Sequence, residues 1–335
     1  MEAKLLQREK LSQLVDALLE DHEVVAPTSD LAYGQIRSGA ELHLSDDKPT
    51  QSLKGFFFPP REVLFEYRRT EGGPQPVPSS SPDAPRVIVA ARPCDVASLP
   101  VLDKLFGWDY QDSSYFQHRQ RTVIISLACD PPPKDCFCVS LGGSPAGIEG
   151  SDLLLTPLSD AYHVLIITER GKALVEKYAQ FFEESDEQHN QERARLEDEW
   201  RAQVTKEVDA DGLREALDFD SPQWESLTQQ CVDCAVCTFL CPTCHCFDIQ
   251  DEGDPAHAIR LRLWDSCARQ DFTEMAAHQP RPTHFSRYRQ RLMHKFKYYP
   301  ENFGRVLCVG CGRCIQYCPA GVDITRALER AVEQR

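Results

Sequence analysis

Short apolar runs separated by turn residues fill the first half of the chain. Arg86–Ala91 is predicted to be a buried strand, and apolar residues repeat at helical spacing from Val96 to Phe106. Thr122–Leu127, Leu153–Thr156 and His163–Ile167 are further predicted strands. This mixture of strands and helices predicts an α/β or α+β N-terminal domain over residues 1–170.

Two segments of this N-terminal domain have a different character. The first 20 residues alternate charged residues with leucine and predict an amphipathic helix. The stretch from Gly72 to Pro85 is rich in Gly, Pro and Ser, so it is predicted to be a loop or linker.

Residues 171–221 form a strongly charged segment, and residues 171–217 contain no proline. This pattern is typical of helices that bridge two domains. An acidic interaction surface is the alternative, but a solvated helical face explains the charges more simply. We therefore predict a charged helical linker between two domains.

The chain becomes cysteine-rich from residue 222, and residues 222–335 are predicted to form an α-helical domain of ferredoxin type. The interval from Cys241 to Cys308 is too long for the hairpin of a minimal ferredoxin. It carries helical patterning at Ala256–Leu263 and Arg287–Phe296, and Ile324–Gln334 predicts a short terminal helix.

Charge and apolar content narrow the possible classes of function. The chain has 335 residues and a formal charge of -15, which argues against a general role in binding nucleic acid or anionic membranes. It contains no run of about 18 apolar residues, and its N-terminus does not have the apolar core of a signal peptide. We expect a cytoplasmic protein that binds neither nucleic acid nor membrane.

Fifteen cysteines are the most unusual feature of the composition. Disulfide scaffolds are typically short and secreted, whereas this chain is long and concentrates its cysteines in C-x-x-C runs. Thiolates that hold metal are the better explanation.

Two runs match the spacing of bacterial ferredoxins residue for residue: Cys231-x-x-Cys234-x-x-Cys237-x-x-x-Cys241-Pro242 and Cys308-x-x-Cys311-x-x-Cys314-x-x-x-Cys318-Pro319. Two-residue gaps let a tight loop place three thiolates on three irons of a [4Fe-4S] cubane, while the fourth cysteine serves the other cluster. One cluster is therefore assigned to Cys231, Cys234, Cys237 and Cys318, and the other to Cys308, Cys311, Cys314 and Cys241. Zinc is the alternative, but a structural zinc site needs four ligands, normally as two pairs, and does not require two complete four-cysteine runs.

The interval between the two runs is locally basic, which makes nucleic-acid binding a tempting interpretation. Two other roles are favoured, because cations beside anionic clusters raise the reduction potential and a basic strip can dock an acidic partner. The residues concerned are Arg260, Arg262, Arg287, Arg289, Arg291, His294, Lys295 and Lys297.

The N-terminal half contains four more cysteines, Cys94, Cys129, Cys136 and Cys138. Both segments that carry them follow predicted strands, so their loops could meet at one end of a sheet. The alternatives are a third [4Fe-4S] cluster, a zinc site or isolated core thiols.

Three cysteines, Cys244, Cys246 and Cys267, exceed the needs of two clusters. They are predicted to be buried thiols, with a redox-active pair or substitute ligation as the alternatives.

Several strings resemble one family across residues 20 to 325, namely the beta subunit of cytosolic [NiFe] sulfhydrogenases and the A subunit of anaerobic sulfite reductase. The strings are Ala91-Arg-Pro-Cys-Asp95, Cys136-Phe-Cys138, Cys241-Pro-Thr-Cys-His-Cys-Phe-Asp248, Trp264-Asp-Ser-Cys267, Arg289-Gln-Arg-Leu-Met-His-Lys-Phe296 and Cys308-Val-Gly-Cys-Gly-Arg-Cys314. The resemblance implies work beside a flavin and NAD(P)-binding reductase subunit and a catalytic hydrogenase or sulfite reductase subunit. The segments near 183–213 and 73–85 match no part of this family pattern.

The resulting hypothesis is an iron-sulfur electron-transfer subunit that conducts electrons and makes no bonds itself. No G-x-G-x-x-G follows a predicted strand, so flavin and nicotinamide are expected on a partner. Two alternatives are a redox sensor and a catalytic N-terminal domain, the latter needing an acid or base such as Asp95 or Asp130.

Overall fold

The computed structural model of the protein describes residues 2–78, 84–254 and 257–333. Its β-strands, in chain order, are β1 Ala3–Gln7, β2 Glu23–Pro27, β3 Tyr33–Gln35, β4 Arg61–Thr70, β5 Gly73–Pro78, β6 Arg86–Ala91, β7 Thr122–Leu127, β8 Leu153–Pro157, β9 Ala161–Ile166, β10 Phe182–Glu184, β11 Phe247–Gly253 and β12 His257–Trp264.

Helices cover much of the remaining chain. The α-helices are α1 Lys10–Leu18, α2 Lys54–Phe57, α3 Pro93–Val96, α4 Leu99–Phe106, α5 Ser113–Gln120, α6 Glu169–Lys177, α7 Glu187–Gln203, α8 Ala210–Ala216, α9 Gln223–Thr228, α10 Val236–Phe239, α11 His284–Met293, α12 Tyr299–Phe303, α13 Arg313–Gln316 and α14 Ile324–Glu333. A π-helical segment, His294–Tyr298, joins α11 to α12.

An eight-stranded sheet organises the N-terminal half, in the order β10-β1-β9-β8-β7-β6-β2-β3. Strands β2, β6, β7 and β8 are parallel neighbours, and the outer pairs are antiparallel. Every residue of β6 is buried, as expected for a strand covered on both faces. Parallel strands end at one edge of a sheet, so the chain leaving β6 and the chain leaving β7 enter the same region.

Apolar helix faces cover the two sides of this sheet. On one side α1 buries Leu11, Leu14, Val15 and Leu18, which repeat at helical spacing. On the other side α4 and α5 belong to a second apolar cluster that includes Tyr115. Each such buried side chain contributes about 1.5–3 kcal/mol relative to an exposed one. The predicted mixture of strands and helices in the N-terminal half is confirmed.

A second sheet joins distant parts of the chain in the order β11-β12-β4-β5, with antiparallel pairing throughout. The hairpin β4–β5 comes from the N-terminal half, whereas β11–β12 lies between the two cysteine runs. Arg61 pairs with Leu263 and Arg68 pairs with His257 at the two ends of the central ladder. This sheet therefore fixes the interval between the runs against the N-terminal half.

Three expectations from the sequence need correction. Residues 257–263 are not helical, because His257–Trp264 is strand β12, in which Ile259, Leu261 and Leu263 alternate with arginines at the period of a strand. Ala256, the first residue of the expected helix, lies outside the described residues. The first 20 residues contain β1 before α1, and the expected loop from Gly72 contains β5. Residues 79–83 of that loop, and Gln334 of the expected terminal helix, lie outside the described residues.

The charged segment after residue 170 is largely helical, as the sequence predicts, and it contacts the N-terminal sheet. Its short strand β10 pairs with β1, so the sheet continues to Glu184. Helix α7 buries Trp200, which packs with Leu154 and Leu165 and donates a hydrogen bond from Nε1 to Asp130 Oδ1 at 2.9 Å.

Helices α8, α9, α11 and α14 form a C-terminal core around the cysteine runs. Leu213, Trp224, Leu292, Phe296 and Leu328 are buried together in it. The predicted helical pattern of residues 287–296 is confirmed by α11 and the π-helical segment.

Candidate metal centres

The first cysteine run begins in the loop between α9 and α10 and ends just after α10. Asp233 and Ala235 in this loop have φ angles of 54° and 60°, a left-handed conformation that turns the backbone tightly. The thiols of Cys231, Cys234 and Cys237 therefore point into one cavity. The remaining lining of that cavity includes Cys314 and Cys318 of the second run, but not Cys241.

The second run follows α12 and lies beside the N-terminal half. The pKa of Cys308 is raised to about 11 and that of Cys314 to about 12. Burial is the largest cause of both shifts, and the nearby Cys241 thiol contributes to both. Cys241 thus lies next to Cys308 and Cys314. Cys318 therefore lies with the first three cysteines of the first run, and Cys241 lies with two of the first three of the second run.

Two glycines let the second run approach the N-terminal half closely. Gly310 and Gly312 have φ angles of 63° and 71°. A Cβ on Gly310 would lie 2.5 Å from the backbone nitrogen of Cys138, and the Phe137 N–H donates to the Gly310 oxygen at 2.9 Å. The second run therefore packs backbone to backbone against the segment that contains Cys136 and Cys138.

The four N-terminal cysteines converge at the same edge of the main sheet. Cys94 begins the helix after β6, Cys129 follows β7, and Cys136 and Cys138 lie in the next loop. Burial raises the pKa of all four thiols, and Cys129 raises the pKa of each of the other three. Cys311 of the second run also raises the pKa of Cys94 and Cys136, so the four N-terminal cysteines border the second run.

Buried cations lie among these thiols. Lys48, 3% exposed, donates from Nζ to Cys136 Sγ at 3.5 Å and to the Cys311 oxygen. Lys295 donates from Nζ to Cys241 Sγ at 3.2 Å, and Arg291 donates to the Cys237 oxygen at 3.2 Å. Burial alone lowers the pKa of Lys295, but the Cys241, Cys244 and Cys308 thiols outweigh it and raise that pKa.

Within the described ranges, none of Lys48, Arg291 and Lys295 forms an ion pair with a carboxylate, and Arg291 Nε has no hydrogen-bond partner. A buried charge without a partner costs several kcal/mol. Thiolate-ligated iron-sulfur clusters are anionic, so the cations and the cysteines together fit such clusters. Over residues 2–78, 84–254 and 257–333, no set of three or more His, Cys, Asp or Glu side chains has the spacing of a single-ion site; in a cubane each thiolate binds a different iron.

A fully buried ion pair ties the second run to the N-terminal half. Arg313 and Asp95 are both 0% exposed, with Nη1–Oδ1 at 2.6 Å and Nη2–Oδ2 at 2.8 Å. Tyr33 donates to Asp95 Oδ2 at 3.0 Å, and Arg313 Nε donates to the Pro49 oxygen at 3.0 Å. Both carboxylates considered as a catalytic acid or base, Asp95 and Asp130, are thus held in structural hydrogen bonds.

The basic residues between the runs have separate partners. Arg260 pairs with Asp251, and the nearly buried Arg262 pairs with Glu62 and Asp112. Arg287 pairs with Asp233. The others contact an aromatic ring, carbonyls or thiols: Arg289 lies over Phe219, Lys297 donates to the Leu217 oxygen, and Arg291 and Lys295 have the partners given above. Sequence reasoning identified Arg291 and Lys295 but not Lys48 or Lys54, because no motif marks a lysine that reaches thiols distant in sequence.

The three additional cysteines lie together. Cys244, Cys246 and Cys267 line a small cavity with His245, His294, Arg291, Lys295 and Leu307. Burial lowers the pKa of His245 to about 3 and that of His294 to about 4, and neighbouring cations add to both shifts. Both imidazoles are therefore neutral at physiological pH.

Among the helices of the described residues, none has the length and apolar content needed to cross a membrane.

Comparison with known proteins gives two matches. Residues 230–322 match the family of 4Fe-4S dicluster domains. Over 335 residues the chain is 29% identical to the protein named sulfhydrogenase 2 subunit beta of Pyrococcus furiosus, and the alignment covers 98% of each chain. No solved structure gives a significant match.

Proposed function

We propose that this chain, a homologue of a sulfhydrogenase beta subunit with a 4Fe-4S dicluster domain, is the electron-relay subunit of a multisubunit oxidoreductase. Cys231, Cys234, Cys237 and Cys318 would hold one [4Fe-4S] cluster, and Cys308, Cys311, Cys314 and Cys241 a second. When bound, such clusters accept and release single electrons. The observation that carries the proposal is Cys318 in the cavity of the first run, since crossed ligation requires it.

A third cluster is proposed at Cys94, Cys129, Cys136 and Cys138. Its support is the mutual proximity of the four thiols and the buried Lys48 beside Cys136. The alternatives at this position are zinc and a set of packed thiols.

The second cysteine run adjoins both of the other cysteine groups. Cys311 borders the N-terminal group, because it raises the pKa of Cys136. Cys241 lies between the two runs, because it raises the pKa of Cys237 in the first run and of Cys314 in the second. Residues of the second run therefore occupy the middle of the proposed path. The chain would contribute conduction and tuning of potential rather than bond making.

The proposed partners are a flavin and NAD(P)-binding reductase subunit at one end and a catalytic subunit of hydrogenase or sulfite reductase type at the other. The name of the Pyrococcus furiosus relative supports a hydrogenase complex. The proposed location is the cytoplasm, since thiolate-ligated centres and free cysteines suit a reducing compartment.

Iron and sulfide analysis of the anaerobically purified protein, with EPR of the reduced state, tests this proposal. Two clusters give about eight irons and three give about twelve. Cys318→Ser is expected to perturb the first cluster, and Cys241→Ser the second. Zinc in place of iron would overturn the relay.

The third cluster has its own test. Cys94→Ala is expected to lose about four irons while the EPR signals of the other two clusters persist. Unchanged iron in this variant would return Cys94 to a packing role without affecting the two-cluster relay.

A further inference from the structure

Three thiols remain after the proposed ligands are assigned. Cys244, Cys246 and Cys267 surround one small cavity in the interval between the two runs. They come from two chain segments: Cys244 and Cys246 precede β11, and Cys267 follows β12. The hairpin base is thus where the three thiols meet.

The base of this hairpin brings Cys246 opposite Asp265, two residues before Cys267. Phe247 pairs with Trp264, and the Asp265 N–H donates to the Cys246 oxygen at 2.9 Å. The Cys246 and Cys267 thiols are hydrogen-bonded to each other. Two thiols in hydrogen-bond contact are close enough for a disulfide to form after a local rearrangement.

A buried lysine makes this environment unusual for packed thiols. Lys54 is 3% exposed, and its Nζ lies 3.9 Å from the centroid of the Trp264 ring. It donates to the Cys244 oxygen at 2.9 Å and to the Phe239 oxygen at 3.4 Å. Over the ranges that the structure describes, Lys54 has no carboxylate partner, so its charge acts on the nearby sulfurs.

The two thiols of the pair differ in acidity. The hydrogen bond from Cys267 lowers the pKa of Cys246 to about 7, and Lys54 and Lys295 contribute in the same direction. The same hydrogen bond and burial raise the pKa of Cys267. A thiol that ionises near neutral pH beside a protonated one is the arrangement of reactive cysteine pairs.

We propose that Cys246 and Cys267 form a redox-active dithiol that stores two electrons beside the relay. On oxidation the two S–H groups lose two protons and two electrons, and one S–S bond forms. The electrons go singly to one-electron acceptors of the iron-sulfur class, and reduction reverses each change. This inference rests on the proposed relay, since it names the iron-sulfur centres as the exchange partner.

Cys244 lies between the pair and the relay. Its thiol is hydrogen-bonded to Cys241, a proposed ligand of the second cluster. The same thiol raises the pKa of Cys267. The dithiol therefore lies beside the ligands proposed for the second cluster.

Thiol trapping of the full-length, anaerobically purified protein tests the proposal. Samples poised at a series of potentials with a glutathione redox buffer are quenched in acid, alkylated and digested with trypsin. Cys267 lies on residues 263–269, between Arg262 and Arg269, which contain no other cysteine. The expected result is a reversible disulfide between this peptide and the Cys246 peptide, with the ratio of disulfide to dithiol changing tenfold for each step of about 30 mV, as a two-electron couple requires.

Variants separate this result from metal binding. Cys246→Ser and Cys267→Ser are expected to abolish the disulfide and keep the iron content of the unaltered protein. Cys244→Ser is the matched control and should retain both the disulfide and the iron.

Two outcomes would overturn the dithiol: alkylation of the Cys267 peptide that does not change with potential, or loss of about four irons in Cys246→Ser or Cys267→Ser. The second outcome would make these thiols metal ligands. Absence of iron from the unaltered protein would instead overturn the relay, and the alkylation result would still report on the pair separately.

Discussion

Each C-terminal cysteine run gathers three thiols within a single loop, whereas the N-terminal group draws its thiols from the ends of two strands and a following loop. The first arrangement is set by local spacing, and backbone turns at Asp233, Ala235, Gly310 and Gly312 shape it. The second depends on the main sheet and on contact with the second run. A site assembled from distant segments should be the more sensitive of the two to changes at the contacts between the halves.

The largest expected effect comes from the buried ion pair between the halves. Arg313→Met leaves Asp95 buried without its cation, and we expect a loss of about 3–5 kcal/mol in the free energy of unfolding. Urea denaturation measures the loss. Combining Arg313→Met with Asp95→Asn should recover part of it, because the uncompensated charge is then removed; a double variant no more stable than the single one would contradict the assigned role.

Gly310→Ala tests the close approach of the second run to the N-terminal group. The new Cβ would lie 2.5 Å from the Cys138 nitrogen at a left-handed φ, so we expect a loss of about 2–4 kcal/mol and weaker iron binding at both adjoining groups. The first run should keep its iron.

Gly304→Ala is the matched control for Gly310→Ala. Its φ is also left-handed, at 72°, but no atom lies within 4 Å of the added Cβ. A loss of only about 1 kcal/mol, with full iron content, is expected. Equal effects of the two variants would argue against the importance of the close approach.

The second sheet provides a pH-dependent test of the same contact between halves. His118, Ser114 and Arg262 outweigh burial and hold the pKa of Glu62 at about 2, below its ordinary value of 4.5. Its stabilising effect is therefore complete above pH 4.5 and is lost as the pH falls towards 2. We expect Glu62→Gln to remove up to about 3 kcal/mol at neutral pH and progressively less in acid.

Unfolding measured from pH 7 down to the acid limit of the folded protein checks this difference. Glu71→Gln, in the exposed turn that follows β4, is the control. A difference between Glu62→Gln and the unaltered protein that does not shrink on acidification would contradict the assignment.

The smallest expected effect concerns electronic tuning. Lys48→Met removes a buried cation beside Cys136, and a cation favours the more negative reduced state of a nearby cluster. We expect the reduction potential of the nearest centre to fall by about 60 mV, equivalent to about 1.4 kcal/mol. Potentiometric EPR measures this, with exposed Lys172→Met as the control; an equal shift at the first-run centre would show that the effect is not local.

Local patterns predicted local features well. The strands at 86–91 and 122–127 and the helix α4 lie where apolar spacing predicts them, and the ferredoxin-like runs fall within the dicluster match. The helical interpretation of residues 256–263 was wrong from His257 onwards, because the alternation in Ile259-Arg-Leu-Arg-Leu263 indicates a strand. The exchange of fourth cysteines between the runs remains a prediction that iron analysis must test.

Contacts between distant segments could not be predicted in this way. Asp95 and Arg313 are 218 residues apart, and each belongs to a cysteine string whose apparent purpose is metal binding. Lys48 and Lys54 stand in segments without any motif, and only the fold brings their ammonium groups to the thiols. Side chains that set the charge around a metal site, or that hold its segments together, have no fixed sequence spacing from the metal ligands.

The pairing of β4 with β12 has a consequence for how the chain is made. Residues 61–70 leave the ribosome long before their partner strand at 257–264 is synthesised. One edge of the β4–β5 hairpin therefore stays unpaired during synthesis. Unpaired strand edges invite association with other chains, and pairing across a long loop slows folding. Truncation of the protein before residue 257 should therefore yield an aggregation-prone product, and insertion of iron would follow completion of the whole chain.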